Sequence, residues 1–143
     1  MSSPADIIAQ HLIDEALGTD VSASASWPVR VGFQPDEPDN AICVFDITGR
    51  EDGRNMSTGY RVEHPGVQVY VRGSSYIAGF DKAEAIALAL DAILRTQITI
   101  DSTVYLVQNV SRTGPILSVG VTGDEDRKRH QFTINATLTY REN

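Results

Sequence analysis

Apolar side chains recur with helical spacing at the start of the chain. Ile8, Leu12 and Ala16 fall at i, i+4 and i+8, and Ile13 and Leu17 widen the stripe, which predicts an amphipathic helix over residues 4–17. Ser3 is placed to cap it, Pro4 suits the first helical position, Asp6 complements the positive end of the helix dipole, and Gly18 is the expected stop. The opposite face carries Gln10, Asp14 and Glu15, so the apolar stripe must pack on a sheet or on a neighbouring subunit.

The period then changes to two. After small residues over 22–26, Trp27, Val29, Val31 and Phe33 alternate with Pro28, Arg30 and Gly32, the mark of a half-buried strand, with Pro28 pointing to an edge or a strand start. A loop over residues 34–40 leads into a near-continuous apolar strand over 41–47. Residues 48–66 break the pattern: they are polar, hold Gly49, Gly53, Gly59 and Gly66, and mix the charges of Arg50, Glu51, Asp52, Arg54, Arg61 and Glu63. A loop longer than ~12–15 residues in a compact domain is usually functional or disordered. This stretch is expected to be a long flexible loop that orders on contact with a partner.

Val67, Val69 and Val71 alternate with Gln68, Tyr70 and Arg72 in a third strand, which Gly73 ends. A second helix is predicted over residues 82–95. Asp81 and Glu84 have capping-box spacing, Phe80 can staple onto Ala85, and Ile86, Leu90 and Ile93 with Ala83, Ala89 and Leu94 form a broad apolar face. The last third reads as antiparallel strands at 98–100, 104–110 and 116–121, with a turn at Asp101-Ser102, a break at Gly114-Pro115 and a polar loop over 122–128. In the final strand, 131–141, Phe132, Ile134, Ala136, Leu138 and Tyr140 alternate without error with Thr133, Asn135, Thr137 and Thr139. Such a strand has one buried face and one that is wet or turned to a partner. The predicted fold is α+β: a mixed, largely antiparallel sheet packed by two helices, with residues 1–143 forming one domain.

Composition narrows the function classes. Hydrophobic residues are 41% and charged residues 22%, which is ordinary for a globular chain and excludes disorder of the whole. A formal net charge of −7 repels phosphates and argues against nucleic-acid binding as the main role. Arg127, Lys128 and Arg129 form a short basic patch, read as a solvated strand entry. Cys43 is the one cysteine, so no internal disulfide is expected, and its apolar surroundings predict a buried thiol. Residues 1–6 lack the features of a signal peptide, and no stretch approaches the ~20 apolar residues of a membrane span, so a cytoplasmic site of synthesis and no membrane partner are expected.

Chemistry-bearing patterns are missing from the sequence. His11, His64 and His130 are not spaced with Cys, Asp or Glu as metal motifs require, and Asp124-Glu125-Asp126 lacks the ligand spacing of a calcium loop. There is no Gly-x-Ser-x-Gly elbow and no phosphate-cradling Gly-Lys-Ser/Thr. Neither an enzyme nor a cofactor is expected.

From residue 67 onward the chain resembles the tail terminator (tail completion, minor capsid) proteins of tailed bacteriophages. The resemblance rests on Val67-Gln68-Val69-Tyr70-Val71-Arg72-Gly73, the alanine-rich helix that follows, the strand over 104–112, and the closing Arg129-His130-Gln131-Phe132-Thr133-Ile134-Asn135. It implies a structural protein of the virion, assembled in the host bacterial cytoplasm: a homo-hexameric ring on the tail tube protein that stops tube polymerisation and meets the head completion or connector protein, with DNA passing through the lumen unbound. Residues 48–66 fall where such proteins vary, so the resemblance assigns them no role. On the chain's own pattern, Arg72, Asn135 and the loop residues Arg50, Asp52, Arg54 and Arg61 are the candidate interface residues. Another head–tail joining protein, a ligand- or peptide-binding module using the sheet face, and a small enzyme are the competing readings. Ring formation favours the terminator and the joining protein, and a tight pocket lined by polar groups favours the binding module and the enzyme.

Overall fold

Ser3 starts the first helix as predicted. Its hydroxyl accepts from the Asp6 amide at 3.2 Å, and the Asp6 carboxylate accepts from the Ser3 amide at 3.1 Å, a reciprocal capping box at the head of α1 (Pro4–Asp14). The structure, a computed structural model, describes residues 2–19, 27–35, 39–59, 61–123 and 128–142, and of residues 61 and 62 the backbone alone. The expected linker over 22–26, the middle of the 34–40 loop, Asp124-Glu125-Asp126 and Arg127 lie outside the described residues.

The chain continues through β1 (Val29–Val31), β2 (Ala41–Arg54), β3 (Arg61–Gly73), α2 (Tyr76–Asp91), β4 (Leu94–Ile100), β5 (Thr103–Arg112), β6 (Leu117–Thr122) and β7 (Arg129–Glu142). The strands form one sheet in the order β1-β2-β3-β7-β5-β4, with β6 paired to β7 off this path. Only β1 and β2 run parallel. The fold is α+β with a mostly antiparallel mixed sheet, as the alternation predicted.

Both helices cover one face. Val67, Val69 and Val71 of β3 lie beside Ala136, Ile134 and Phe132 of β7, and all six are buried. Ile8 and Leu12 of α1 and Ala83, Ile86 and Leu90 of α2 close over this ladder in one hydrophobic cluster. Each Ile or Leu buried there contributes roughly 1.5–3 kcal/mol from removal of apolar surface from water. α1 touches β1, β2 and β3 and also β4 at the far end of the strand order, so the sheet curls around it. The α1 amino end is held from both sides: Asp46 of β2 accepts from the Ala5 amide at 3.0 Å, and the Tyr105 hydroxyl of β5 accepts from the Ser2 amide at 2.8 Å.

Several boundaries differ from the prediction; α2 ends at Asp91, not 95, and β4 begins at Leu94, so Leu94 is an exposed strand residue and not part of the helix face. α1 stops at Asp14, not Leu17, because Ala16 takes a left-handed conformation (φ 58°). The Leu17 amide then donates to Leu12 O and the Ala16 amide to Ile13 O, both at 3.0 Å, a Schellman ending made without glycine. α2 begins at Tyr76 with Ser75 as its cap, more than a turn before Asp81. Tyr76 and Phe80, one turn apart, both set their rings against Phe132, with centroids at 5.2 and 5.8 Å. That aromatic packing holds the early turn helical, and Gly79 permits it: a Cβ there would fall 2.8 Å from the Phe132 ring. Phe80 is thus inside the helix and does not staple onto Ala85. Trp27 lies outside β1 at φ 65°, under the Lys82 ammonium, which stands 5.2 Å from its ring and donates to Leu17 O at 3.0 Å.

The polar face of β7 is also drier than the alternation suggested. Gln131 and Thr133 are buried, and the Gln131 amide donates to Gln34 Oε1 at 3.3 Å and to Thr122 Oγ1 at 3.4 Å.

A left-handed alanine carries a cost of roughly 1–2 kcal/mol that glycine avoids. Ala16→Gly is therefore expected to stabilise the protein by about 1 kcal/mol after the extra unfolded-state entropy of glycine, raising Tm by a few degrees in thermal denaturation.

Candidate assembly surface

The stretch expected as a loop over residues 48–66 is a β-ribbon. β1 pairs β2 only across Ile42, Cys43 and Val44, and β7 pairs β3 only from Gly66 onward, so residues 47–54 and 61–65 pair with each other alone. Arg50 faces His64, Glu51 faces Glu63, Gly53 faces Val62 and Arg54 faces Arg61. At ~3.3 Å per residue the ribbon extends roughly 20 Å past its last pairing with β7. Period-two alternation fails here for two physical reasons. Two register shifts, between Ile47 and Arg50 and between Glu51 and Gly53, put the strand out of phase, and the β2 side of the ribbon is exposed from Asp46 on, so no apolar side is required. Gly49 sits in the first shift, where a Cβ would fall 1.9 Å from His64 O.

The tip is a built turn. Asn55 Oδ1 accepts from the Ser57 amide at 2.9 Å, the Ser57 hydroxyl at 2.8 Å and the Thr58 amide at 3.2 Å, and Arg54 Nε donates to Gly59 O at 3.1 Å. Met56 stands at the apex, 100% exposed.

The root of the arm is tied to the sheet through His64. One ring nitrogen lies 2.7 Å from Thr139 Oγ1 of β7, and the other lies 2.7 Å from Asp52 Oδ2 on the opposite strand of the arm. The hydrogen bond from His64, aided by the charges of His64 and Arg50, holds the Asp52 carboxyl below the usual carboxylate range. Arg50 Nε stands 3.4 Å from Asp52 Oδ1.

A second surface lies at the other end of the sheet. β3 and β7 run antiparallel with Gly66 opposite Thr137 and Gly73 opposite His130, so the arm parts from β7 toward its carboxyl-terminal end. β6 pairs with the start of β7, Leu117 opposite Thr133 and Thr122 opposite Arg129. No described strand pairs its outer edge, and Leu117, Val119 and Val121 are exposed along it. Next to β6, a groove of about 850 Å³ runs between α2 and the β5–β6 connection. Phe80, Leu88, Val110, Pro115 and Ile116 line it together with Glu84. The bidentate pair of Arg112 and Asp91, at 2.9 and 2.8 Å, joins its two walls.

The candidate interface residues separate. Arg50, Asp52 and Arg54 lie on the arm, and Arg61 lies in β3 opposite Arg54. Arg72 is buried, with Nε donating to Asp39 O at 3.0 Å, so its strand-end position is covered by its own chain and not open to a neighbour. Asn135 is half-buried, and its carbonyl accepts from the Thr113 amide at 2.9 Å. Sequence reasoning predicted the strand at 116–121 but singled out neither β6 nor His64 nor Met56 as part of a surface. For β6 a signal existed: a short apolar strand with no charge and no proline is an unprotected edge.

His11 is buried on α1, His64 sits at the arm root, and His130 packs edge-on against Tyr76. No group of three metal-ligating side chains occurs among the described residues. Cys43 is buried, and burial pushes its thiol up to about 11. Among the described residues no helix is long and apolar enough to cross a membrane.

His64→Ala is expected to free the arm root. Amide exchange over residues 47–66, read by mass spectrometry, should speed up, and Asp52 should titrate closer to its ordinary value of 3.8 in an NMR titration. In the parent chain the folded-state pKa of Asp52 lies below the unfolded one. The link is therefore complete above pH 3.8 and is lost as pH falls through the depressed value. Unchanged exchange in His64→Ala would show that the arm is held by its backbone alone.

No curated protein matches the chain. Of the solved structures that match, one does so over 94% of this chain and 92% of its own, at 16% identity and a TM-score of 0.45, a likeness too loose to carry an argument. The family described as bacteriophage tail terminator protein matches residues 11–140, from within α1 to the end of β7. The chain belongs to that family and is a structural component of a phage tail.

Proposed function

We propose that the chain is the tail terminator of its phage: a homo-hexameric ring that sits on the last ring of tail tube protein, stops its polymerisation and presents a surface to the head completion protein. The observation that carries this reading is the family match over residues 11–140. Two physical features support it. A closed ring needs a heterologous interface, in which one patch meets a different patch on the next subunit. The polar arm and the apolar β6 end are two such unlike patches at opposite ends of one sheet. The net charge of −7 suits a ring through which DNA must slide without adhering. The ring then resides in the virion at the head–tail interface, is assembled in the host cytoplasm, and has no catalytic role.

The test is the solution mass by light scattering across concentration and salt, with negative-stain images of the same sample. The expected result is a six-subunit particle with a central hole. A strict monomer that also fails to form rings on isolated tail tubes would overturn the reading.

A further inference from the structure

The groove between α2 and β5 and the tip of the arm match each other in polarity and charge. The groove floor is apolar, through Phe80, Leu88 and Ile116, and is open to solvent at about 850 Å³. Leu88 is 62% exposed on its wall, and Glu84 beside it has no ion-pair partner among the described residues. The tip offers the converse: Met56, wholly exposed, and Arg54, whose guanidinium has no carboxylate partner among the described residues. Three hydrogen bonds to Asn55 hold the tip in shape before any contact is made, which lowers the entropic cost of docking.

The two features do not meet within one chain. β7 lies between the arm strands and β5, which forms one groove wall, and Met56 at the arm tip is wholly exposed, so the tip does not touch the groove of its own chain. Their complementarity is left for a second copy, and it joins unlike patches, as a closing ring requires.

Resting on the ring reading above, we infer that the occupant of the groove is the arm tip of a second copy of this chain, with Met56 against Leu88 and Ile116 and Arg54 facing Glu84. The β6 edge, with Leu117 and Val119 beside the groove, extends the same contact along the arm. The arm thereby fixes the spacing between neighbouring subunits.

The test uses the full chain with Met56→Cys, Leu88→Cys and the double variant, each treated with a short bifunctional maleimide under conditions where a multi-subunit mass is measured, in solution or on isolated tail tubes. Cys43 is 1% exposed and stays silent. The double variant is expected to give a ladder of cross-linked copies up to the ring number, and neither single variant should cross-link. Met56→Asp, at a fully exposed position that leaves the fold intact by circular dichroism, should raise the concentration needed for assembly at least tenfold. A double variant that assembles without the ladder, cross-links by Met56→Cys alone, or cross-links to tube protein would each overturn the arm-in-groove contact while leaving the ring reading standing. A chain that never exceeds one subunit in either setting would overturn both.

Discussion

The antiparallel pairing of β3 with β7 is the contact on which the rest of the structure depends. It joins residues far apart in the chain, so its closure costs loop entropy that local contacts cannot offset. The compensation is burial: Val67, Val69 and Val71 beside Ala136, Ile134 and Phe132, covered by both helices and almost wholly withdrawn from water. β2 and β1 then extend the sheet from β3, and β5 and β4 extend it from β7.

The length of β7 has a further effect. Its outer edge is longer than any one partner, so two strands share it, β6 along the first part and β5 along the second. On the other side β3 parts from β7 at Gly66 and continues with β2 as the arm, while β7 runs on to Glu142 beside β5. The arm and β6 therefore lie toward opposite ends of β7. The two ends also differ in chemistry. The arm carries charges of both signs and is tied down at its root through His64 to Asp52 and Thr139. The β6 end is neutral along its strand and borders an apolar groove. A symmetric dimer would need one patch that complements itself, whereas unlike patches suit head-to-tail association.

What chemistry the chain holds is spent inside the fold. Cys43 and His11 are buried, and Arg72, an arginine at a strand end, is tied to the chain's own Asp39. The exposed features are instead apolar side chains and a ribbon that cannot find more partners within its own subunit, as expected of a structural component of a tail.

Local chemistry was enough wherever a segment had one buried side. The capping box of Ser3 and Asp6, the alternation of β3 and β7, the Asp101-Ser102 turn and the α+β class were all legible, because burial against a partner imposes a period and helix ends impose a cap. The family resemblance was legible for the same reason, since its motifs lie on those strands. Where water bathes the chain the period vanishes, and residues 48–66 read as a loop although backbone pairing makes them a ribbon. Long-range packing also overrode local signals: Phe132 draws Tyr76 and Phe80 into an earlier helix start than Asp81 marks, and the Schellman ending places left-handed backbone on Ala16, short of Gly18. The sequence by itself thus determined which faces must be buried. Only the tertiary structure decided which strand ends overshoot, and therefore which surfaces remain for a neighbour, because that depends on pairing register between distant strands and no local pattern encodes it.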